Sequence, residues 1–463
     1  MRSFILLLLF TILALIAGFS ISQYSPAIVF GGVVLLAIFV VAFIKIEWGL
    51  YILIFSMLLS PEIIVGQTGG ASLGRGLTLR FEDFLMVIIG FSWFLKNAIY
   101  KELGLFLKTP INKAILFYVL ACLISTGFGI MSGRVGAKTG SLFVVKYIEY
   151  FIVFFMMVNH VKNADQIKRF VFCLFLTCFI VSIIGILQIP GGERVSAPFE
   201  GEIGEPNTLG GYLLFIGAVA AGLLSRVKEN RTKQILALLI VCILPSFLFT
   251  QSRTSYLALI PAVLVLGSFA RRKAVVLGFT TAALLVSPLF LPSAVNQRIL
   301  FTFNQPAESG QIVIGNIRLD TSTSARMKDW KNTFLAWTKH PIIGHGVTGY
   351  GFVDAQYPRV MVETGIIGII AFFYLLYSIF KLAINNVRNV KTPFFRGLNI
   401  GFLAGYIGLL VHALGANTFI IVRIMEPFWF FAGIIAVLPM LERQQEVSET
   451  AEEVSNTKLA PAS

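Results

Sequence analysis

Long apolar runs, repeated along the whole chain, most limit how this sequence can fold. Fourteen of them reach or approach the length of a membrane-crossing helix, which needs about 20 apolar residues. Of the 463 residues, 57% are hydrophobic and 13% are charged, whereas a water-soluble domain has about 25% charged residues. A water-soluble protein is therefore excluded. The sequence predicts an all-α, polytopic transmembrane helical bundle of about 12–14 spans.

The predicted spans are placed by the length of each apolar run, and the third one is short. The first run resembles a secretory signal peptide because Arg2 precedes a leucine-rich stretch, but the run is long and many spans follow it, so we interpret it as a membrane helix. The spans are predicted near residues 4–21, 27–44, 48–61, 82–96, 113–131, 140–159, 167–189, 209–225, 234–250, 254–270, 273–292, 361–382, 396–414 and 419–441.

The Lys and Arg residues predict which side of the membrane each loop faces. With the N-terminus inside, 22 of the 37 basic residues fall on the cytoplasmic side and seven fall in short outer loops. Seven more lie in one long outer loop, where the positive-inside rule is weak. Both termini are thus predicted to be cytoplasmic. The same bias explains the net charge of +14, so no nucleic-acid partner is predicted.

Two outer segments, residues 190–208 and 292–360, are too long and too polar to be simple turns, and loops of this length are usually functional or disordered. The second segment is predicted to contain an amphipathic helix capped by Ser322 to Ser324 and ended by Pro341. This helix would lie on the outer membrane surface or over the bundle, and simple packing of its apolar face is the alternative. Its apolar residues recur at helical spacing: Met327, Trp330, Phe334 and Trp337.

Arginines on the predicted outer side are candidates for binding an anion. An ionisable residue at membrane depth usually faces the bundle interior and marks a functional site, although an arginine at a helix end can also reach the interface. Several on one side favour a shared anionic ligand, and the arginine fork suits a lipid pyrophosphate because it donates to two oxygens at once. The chain has no P-loop, so no soluble nucleotide donor is predicted. The four arginines are Arg253, Arg326, Arg359 and Arg423.

Two of the four histidines are candidates for a general base near neutral pH. His345 lies between two glycines in the long outer loop, and His412 lies near the outer end of the thirteenth predicted span. A structural role is the alternative for each, and His160 and His340 are interpreted as structural. No metal site and no cofactor is predicted.

Short motifs in these outer segments form an ordered set along residues 195–370. Each is weak alone, but their order, their spacing and their predicted outer location make the set fairly specific. They are Pro198-Phe199, Glu205-Pro206-Asn207-Thr208-Leu209-Gly210-Gly211-Tyr212, Ser252-Arg253, Ser324-Ala325-Arg326 with Trp330, His340-Pro341-Ile342-Ile343-Gly344-His345-Gly346 and Glu363-Thr364-Gly365-Ile366-Ile367-Gly368. On these residues the chain resembles the bacterial O-antigen ligase and O-antigen polymerase superfamily of membrane glycosyltransferases.

The resemblance implies a large periplasmic loop over a helical bundle and metal-independent transfer of a glycan from an undecaprenyl-pyrophosphate carrier to an acceptor hydroxyl. It implies that arginines hold the pyrophosphate and that a loop histidine activates the acceptor. Arg253 and Arg326 fall at family arginine positions, and Arg359 is a third candidate for pyrophosphate binding. Asn207, Glu363, His412 and Arg423 are further candidate site residues.

The family histidine does not carry over to this chain. Members commonly have His-Asn nine residues before the glutamate of the Glu-x-Gly motif, where this chain has Asp354-Ala355. Asp354 or His345 could then act as the general base, and a different base or none is the remaining alternative.

The predicted organisation is an N-terminal set of spans at 1–194, a ligase-like core at 195–370 that includes the loop 292–360, C-terminal spans at 371–441 and a disordered cytoplasmic tail at 442–463. The predicted function is an O-antigen ligase or polysaccharide polymerase in the bacterial inner membrane. A transporter or flippase of an anionic or lipid-linked solute is the alternative. The predicted partners are the lipid-linked donor, a glycan or lipid acceptor, membrane lipid and, as a further candidate, a polysaccharide assembly complex.

Overall fold

The computed structural model describes residues 26–67, 76–100, 107–200, 204–270, 292–314 and 317–459 and a few isolated positions between 271 and 291. Within these residues the chain forms fourteen α-helices and two short hairpins. In the first half they are α1 (Pro26–Ile44), α2 (Ile46–Leu59), β1 (Glu62–Gln67), β2 (Gly76–Arg80), α3 (Phe81–Tyr100), α4 (Asn112–Met131), α5 (Ala137–His160), α6 (Ala164–Gln188), α7 (Pro206–Leu224) and α8 (Asn230–Phe249).

The second half adds the segment that covers one end of the bundle and the last long helices. Strands β1 and β2 pair antiparallel, as do β3 and β4. The elements are α9 (Arg253–Ser268), α10 (Ser293–Asn304), β3 (Val313–Ile314), β4 (Ile317–Arg318), α11 (Thr321–Trp337), α12 (Gln356–Asn389), α13 (Pro393–His412) and α14 (Val422–Leu459), with 3₁₀ turns at Ile189–Gly191 and Thr418–Ile420.

The helices confirm a polytopic helical membrane protein. Among the described residues, eight helices are long and apolar enough to cross a bilayer, and three shorter apolar helices accompany them. Twelve of the fourteen predicted spans coincide with a helix. The predicted span at 4–21 and most of the span at 273–292 lie outside the described residues.

Helix α13 brings the first turns of α7 and α9 together, and this packing builds the site described below. The close approach of α7 and α13 requires glycine, because a Cβ on Gly222 would lie 2.4 Å from the Cα of Gly401. Further along α13, a Cβ on Gly408 would lie 3.1 Å from the carbonyl oxygen of Ala258 in α9. Small residues at a helix interface let the backbones approach, which is how membrane helices gain van der Waals contact without a hydrophobic driving force.

Helix α12 is broken where the Glu363-Thr364-Gly365 motif crosses the outer loop. Gly365 has φ +65°, and Gly344 in the loop has φ +78°. A Cβ on Gly365 would lie 2.4 Å from the carbonyl oxygen of Ile342, and one on Gly344 would lie 2.5 Å from that of Glu363. Only glycine avoids both the strained φ and the clash. The glycines of two sequence motifs, Gly344 in one and Gly365 in the other, are therefore explained by one close crossing of the backbone.

The outer helix of the long loop forms as predicted, but with a different cap. Helix α11 begins after Asp320, whose side chain accepts the backbone N–H of Thr323, so Asp320 is the N-cap in place of Ser322 to Ser324. Its apolar residues Met327, Trp330 and Phe334 are 41%, 39% and 52% exposed. This exposure favours a face directed toward lipid over the packing alternative.

The end of the chain differs from the predicted disordered tail. Helix α14 continues past the membrane span as far as Leu459. The Glu442 carboxylate accepts the backbone N–H groups of Lys391 and Thr392, at 2.8 and 2.9 Å. Lys391 also pairs with Glu446 at 2.9 Å. These contacts with the α12–α13 connection hold the first turns beyond the span, and the polar composition of the segment does not reveal them.

Candidate anion-binding site

A small polar cavity lies where the first turns of α7 and α9 meet the outer segments of the chain. Its volume is about 200 Å³. Of the predicted candidates, it brings together Asn207, Arg253, Arg326 and Asp354. The lining residues are Arg194, Asn207, Gln251, Arg253, Thr254, Arg298, Ser322, Arg326 and Asp354.

Arg253 is placed by the start of α9 and by the outer segments that cover it. It is the first residue of α9, directly after the N-cap Ser252. Its Nη1 donates to Thr302 Oγ1 at 2.6 Å, and its Nη2 donates to Asp320 Oδ2 at 2.8 Å. Asp320 is also the cap of α11, so one guanidinium connects α9, α10 and α11. Burial would raise the pKa of Asp320, but hydrogen bonds from Arg253 and Thr323 outweigh it and hold that pKa below its usual value.

Two further arginines, Arg194 and Arg298, complete the cavity. The Nε of Arg194 donates to the carbonyl oxygen of Thr250 at 3.0 Å, and its Nη2 donates to that of Gln251 at 3.3 Å. Burial lowers the pKa of Arg194 to about 10, and the nearby positive charges of Arg298 and Arg253 lower it further. Burial and Arg253 also lower the pKa of Arg298. Burial and the neighbouring positive charges thus both disfavour the charged form of these arginines.

The cavity holds an excess of positive charge. Four arginines line it, the carboxylates of Asp320 and Asp354 pair with two of them, and Asp329 lies near Asp354, so the arginines outnumber the neighbouring carboxylates. Two of the guanidinium groups, those of Arg298 and Arg326, have a buried Nε–H without a hydrogen-bond acceptor among the described residues. Such donors are costly unless a ligand or water satisfies them. The arrangement is therefore suited to an anion with several oxygens.

Asp354 lies at the edge of this cavity, close to Arg326. Its Oδ2 is 3.5 Å from the Arg326 Nε, and the two side chains are 24% and 23% exposed. Asp329 lies nearby, where burial and the Asp354 charge raise its pKa. A carboxylate at this position can accept a proton or orient a hydroxyl group beside the bound anion.

Asn207 belongs to the first turn of α7, and its side-chain oxygen accepts hydrogen bonds from hydroxyl groups at the start of α9. The Ser252 Oγ donates to the Asn207 Oδ1 at 2.7 Å, and the Thr254 Oγ1 lies 3.5 Å from the same oxygen. Ser252 is completely buried. The buried Ser252 hydroxyl thus orients the Asn207 side chain.

Arg359 and Glu363 do not line the cavity. They form a buried ion pair one turn apart on α12, with Nε and Oε1 3.1 Å apart. The same Glu363 oxygen accepts the backbone N–H of Thr348 at 3.1 Å. The pair therefore fixes the long loop to α12.

Arg423 is completely buried and also lies outside the cavity lining. It donates to four backbone carbonyl oxygens, which connect the end of α2 with the loop before α7: those of Leu58 at 3.1 Å, Ser60 at 3.3 Å, Pro198 at 2.7 Å and Phe199 at 3.2 Å. These hydrogen bonds join the end of α2 to the loop before α7.

The two candidate histidines are both outside the cavity lining. His345, a residue of the long loop 292–360, is buried. Its Nδ1 lies 3.2 Å from the Val362 carbonyl oxygen, and its ring packs beside that of His340. Burial lowers the pKa of His345, and neighbouring positive charges lower it further. His412 is completely buried at the end of α13, with Nδ1 2.8 Å from Thr418 Oγ1 and Nε2 3.2 Å from Ser255 Oγ.

Five lining residues were not among the predicted site residues: Arg194, Gln251, Thr254, Arg298 and Ser322. The sequence could have identified Arg194 and Arg298, because both lie in the predicted outer segments that carry the other motifs. Neither is next to an apolar run, which was the feature that singled out the other arginines.

A family model of O-antigen ligases matches residues 237–373. These residues include α9, the second predicted outer segment (292–360) and the start of α12, and they contain seven of the nine lining residues. No curated protein matches the chain. The match supports the resemblance drawn from the motifs, and residues 237–373 of this multi-pass bacterial membrane protein are similar to the O-antigen ligase and polymerase superfamily of polysaccharide biosynthesis.

Proposed function

We propose that the chain is a membrane glycosyltransferase that moves a glycan from an undecaprenyl-pyrophosphate carrier to an acceptor hydroxyl at the periplasmic face of the bacterial inner membrane. The charge of the cavity carries the proposal. Four arginines outnumber the neighbouring carboxylates of Asp320, Asp354 and Asp329, so the cavity has an excess of positive charge. A pyrophosphate that is esterified at both ends carries two negative charges and would offset this excess.

The size of the cavity agrees with the pyrophosphate as its occupant. About 200 Å³ is below the range of about 300–1,000 Å³ for a pocket that encloses a whole ligand. The pyrophosphate would fit, whereas the lipid chain and the sugars would extend outside. The exposed apolar face of α11 lies beside the cavity, since Arg326 and Ser322 of the same helix line it, and offers the lipid a hydrophobic surface.

The chemistry follows from these contacts. The acceptor oxygen attacks the anomeric carbon, the bond from that carbon to the pyrophosphate oxygen breaks, and the electron pair leaves with the lipid pyrophosphate. Negative charge grows on the leaving group, and fixed arginines favour that transition state. Asp354 would take the acceptor proton. Arg326 would contact both the bound pyrophosphate and the Oδ2 of Asp354. The other carboxylate oxygen of Asp354 would then be left to accept the proton of the acceptor hydroxyl.

The transport alternative predicts a different placement of charge. Transporter sites typically lie near the bilayer midplane on interrupted helices. Here Asn207 is the second residue of α7, Arg253 is the first residue of α9, and Asp354 precedes α12 by two residues. The charged cavity therefore lies at the ends of the helices, which favours catalysis at the membrane surface.

The test uses full-length protein purified in detergent and an undecaprenyl-pyrophosphate oligosaccharide, with the glycan followed on a gel. A ladder from donor alone would identify a polymerase, and a single shift that needs an acceptor would identify a ligase. Arg253→Gln and Arg326→Gln are expected to lower turnover by at least about a hundredfold, the usual effect of losing one charge-stabilising donor. Arg231→Gln, at an exposed position in the first turn of α8, is the matched control.

Full activity in both arginine variants would overturn the pyrophosphate clamp. Binding of the donor without release of any glycan would favour transport. Metal independence stays a prediction: activity is expected to persist after dialysis against a chelator, because arginines supply the positive charge.

A further inference from the structure

A buried line of side chains leads from the end of α13 to the cavity. It runs from His412 through Ser255 and Ser252 to Asn207, with distances of 3.2, 2.8 and 2.7 Å between successive polar atoms. His412, Ser255 and Ser252 are each completely buried. Only Asn207 at its end lines the cavity.

The Thr254 Oγ1 lies 3.1 Å from the Ser252 Oγ as a side branch of the line. Each hydroxyl has a single proton, so a line that is continuous from His412 to Asn207 can be polarised in only two ways. In one, His412 Nε2–H donates to Ser255, Ser255 donates to Ser252, and Ser252 donates to the Asn207 Oδ1. In the other, every donor and acceptor is exchanged, and the Asn207 amide N–H₂ donates into the line. Ser252 Oγ accepts the backbone N–H of Ser255 at 3.3 Å, which is compatible with both directions.

The contacts of Asn207 select the first direction. Its Oδ1 is the amide atom that faces Ser252, at 2.7 Å from Oγ, and the Thr254 Oγ1 lies 3.5 Å from the same oxygen. An amide oxygen can only accept, so Ser252 donates to Asn207, Ser255 donates to Ser252, and the His412 Nε2 carries the proton that Ser255 accepts. The Nδ1 is then the acceptor for the Thr418 hydroxyl at 2.8 Å.

The direction of the line decides how Asn207 faces the cavity. Its Oδ1 is engaged by Ser252, so its amide N–H₂ is the group left to point into the cavity. An amide N–H beside four arginines is electrostatically unfavourable while the cavity holds no anion. The same orientation is favourable when an anion accepts hydrogen bonds from the amide and the guanidinium groups together.

We propose that Asn207 donates a hydrogen bond to a phosphate oxygen of the bound pyrophosphate, and that His412 is the positioning residue that fixes the Asn207 amide through Ser255 and Ser252. The inference rests on the proposed function, because it takes pyrophosphate as the occupant of the cavity. His412 thereby has a role in recognition without touching the ligand.

The binding test measures the affinity of the full-length protein in detergent for inorganic pyrophosphate by titration calorimetry. Asn207→Ala is expected to weaken binding about tenfold, the effect of losing one hydrogen bond to an anion. Ser255→Ala and His412→Leu are expected to weaken it severalfold, because the amide loses its fixed orientation. His412→Gln places an amide donor near the Nε2 position and should restore most of the affinity. Ser246→Ala, which removes a completely buried hydroxyl that donates to the Ser182 carbonyl, is the matched control and should bind as wild type.

A double variant separates positioning from general destabilisation. In an Asn207→Ala background, Ser255→Ala should cause no further loss of affinity, because the group that it orients is gone. A purely structural role would weaken binding equally in both backgrounds. Should His412→Leu fail to fold, Ser255→Ala still carries the test, since it removes a single hydroxyl.

The tautomer of His412 gives a readout that is independent of binding. The chain has four histidines, so ¹⁵N labelling of histidine gives few signals, and His412→Gln assigns the one in question. An Nε2–H tautomer is expected, and an Nδ1–H tautomer would overturn the relay. Wild-type affinity in Asn207→Ala and Ser255→Ala would overturn the inference and leave the proposed function intact. Failure of the wild-type protein to bind pyrophosphate would instead overturn the proposed function and, with it, the role of Asn207.

Discussion

The Nη2 of Arg253 lies 2.8 Å from the Oδ2 of Asp320, and this ion pair joins the first turn of α9 to the cap of α11. The Asp320 side chain is 2% exposed, so the pair is shielded from water. One contact therefore orients a cavity arginine and fixes the helix that carries Arg326. The covering segments and the cavity are expected to lose order together when the pair is broken.

Asp320→Asn is expected to lower the free energy of unfolding by about 2 kcal/mol, because it removes a charge-assisted hydrogen bond. Asparagine is an equally good helix cap, so the change isolates the charge. The folded-state pKa of Asp320 lies below the unfolded value of 3.8. The contribution is therefore fully present above pH 3.8 and is lost as the pH falls through the lower folded-state pKa.

Thermal unfolding between pH 3 and pH 7 measures this effect. The wild-type protein should lose stability toward the acid end, and Asp320→Asn should flatten that part of the curve. An identical pH dependence in the two proteins would contradict a stabilising role of the ionised carboxylate.

Gly344→Ala and Gly365→Ala are each expected to destabilise the protein by about 2–3 kcal/mol, because each puts a Cβ on a residue with positive φ. Each Cβ would also lie within 2.5 Å of a carbonyl oxygen in the other strand of the crossing. Gly127→Ala is the matched control, since a Cβ there meets nothing within 4 Å inside α4. Its stability should be equal or slightly higher. Comparable losses at all three positions would show that the crossing is not the cause.

Arg359→Gln tests whether Arg359 belongs to the anion site, as the sequence predicted, or to the scaffold. Removing one partner of a buried ion pair costs about 3–5 kcal/mol, so a large loss of stability is expected. The affinity of the folded fraction for pyrophosphate should be unchanged, because Arg359 does not line the cavity. Arg359→Met combined with Glu363→Met should recover part of the stability. Weaker pyrophosphate binding in an Arg359→Gln protein of normal stability would show that Arg359 belongs to the anion site.

Asp354→Asn and His345→Gln ask which residue acts as the base. Asp354→Asn is expected to lower turnover by about 10²–10⁴-fold with donor binding retained, the usual contribution of a positioned base. His345→Gln is expected to affect stability and leave turnover within a fewfold of wild type, because His345 lies outside the cavity lining. Single-turnover glycan transfer separates binding from chemistry. Undiminished turnover in both variants would mean that neither residue is the base.

Much of the architecture was predictable because a membrane helix needs only local information. An apolar run of sufficient length has to satisfy its own backbone hydrogen bonds in lipid, and a helix is the only way to do so. Twelve predicted spans accordingly coincide with helices. The division of the chain into domains and the cytoplasmic location of both termini remain predictions.

The site was predictable only in part. The motifs identified Asn207, Arg253, Arg326 and Asp354, which the cavity brings together across a separation of 147 residues along the chain. Arg359 was assigned to the same ligand because it stands at the end of an apolar run. That position does not show that Glu363, one turn later, neutralises it inside the bundle.

The sequence by itself determined that the chain crosses a membrane many times, and its motifs predicted that the chemistry lies in the outer segments, because hydrophobic length and local motifs are properties of contiguous residues. Only the tertiary structure decided which arginines share a cavity and which are held by carboxylates or carbonyls. Arg194 and Arg298 line the cavity with Arg253 and Arg326, whereas Arg359 contacts a carboxylate and Arg423 contacts backbone carbonyls outside the cavity lining. The reason is physical: the partner that neutralises a buried charge is chosen by helix packing, and packing joins residues that are far apart in the chain.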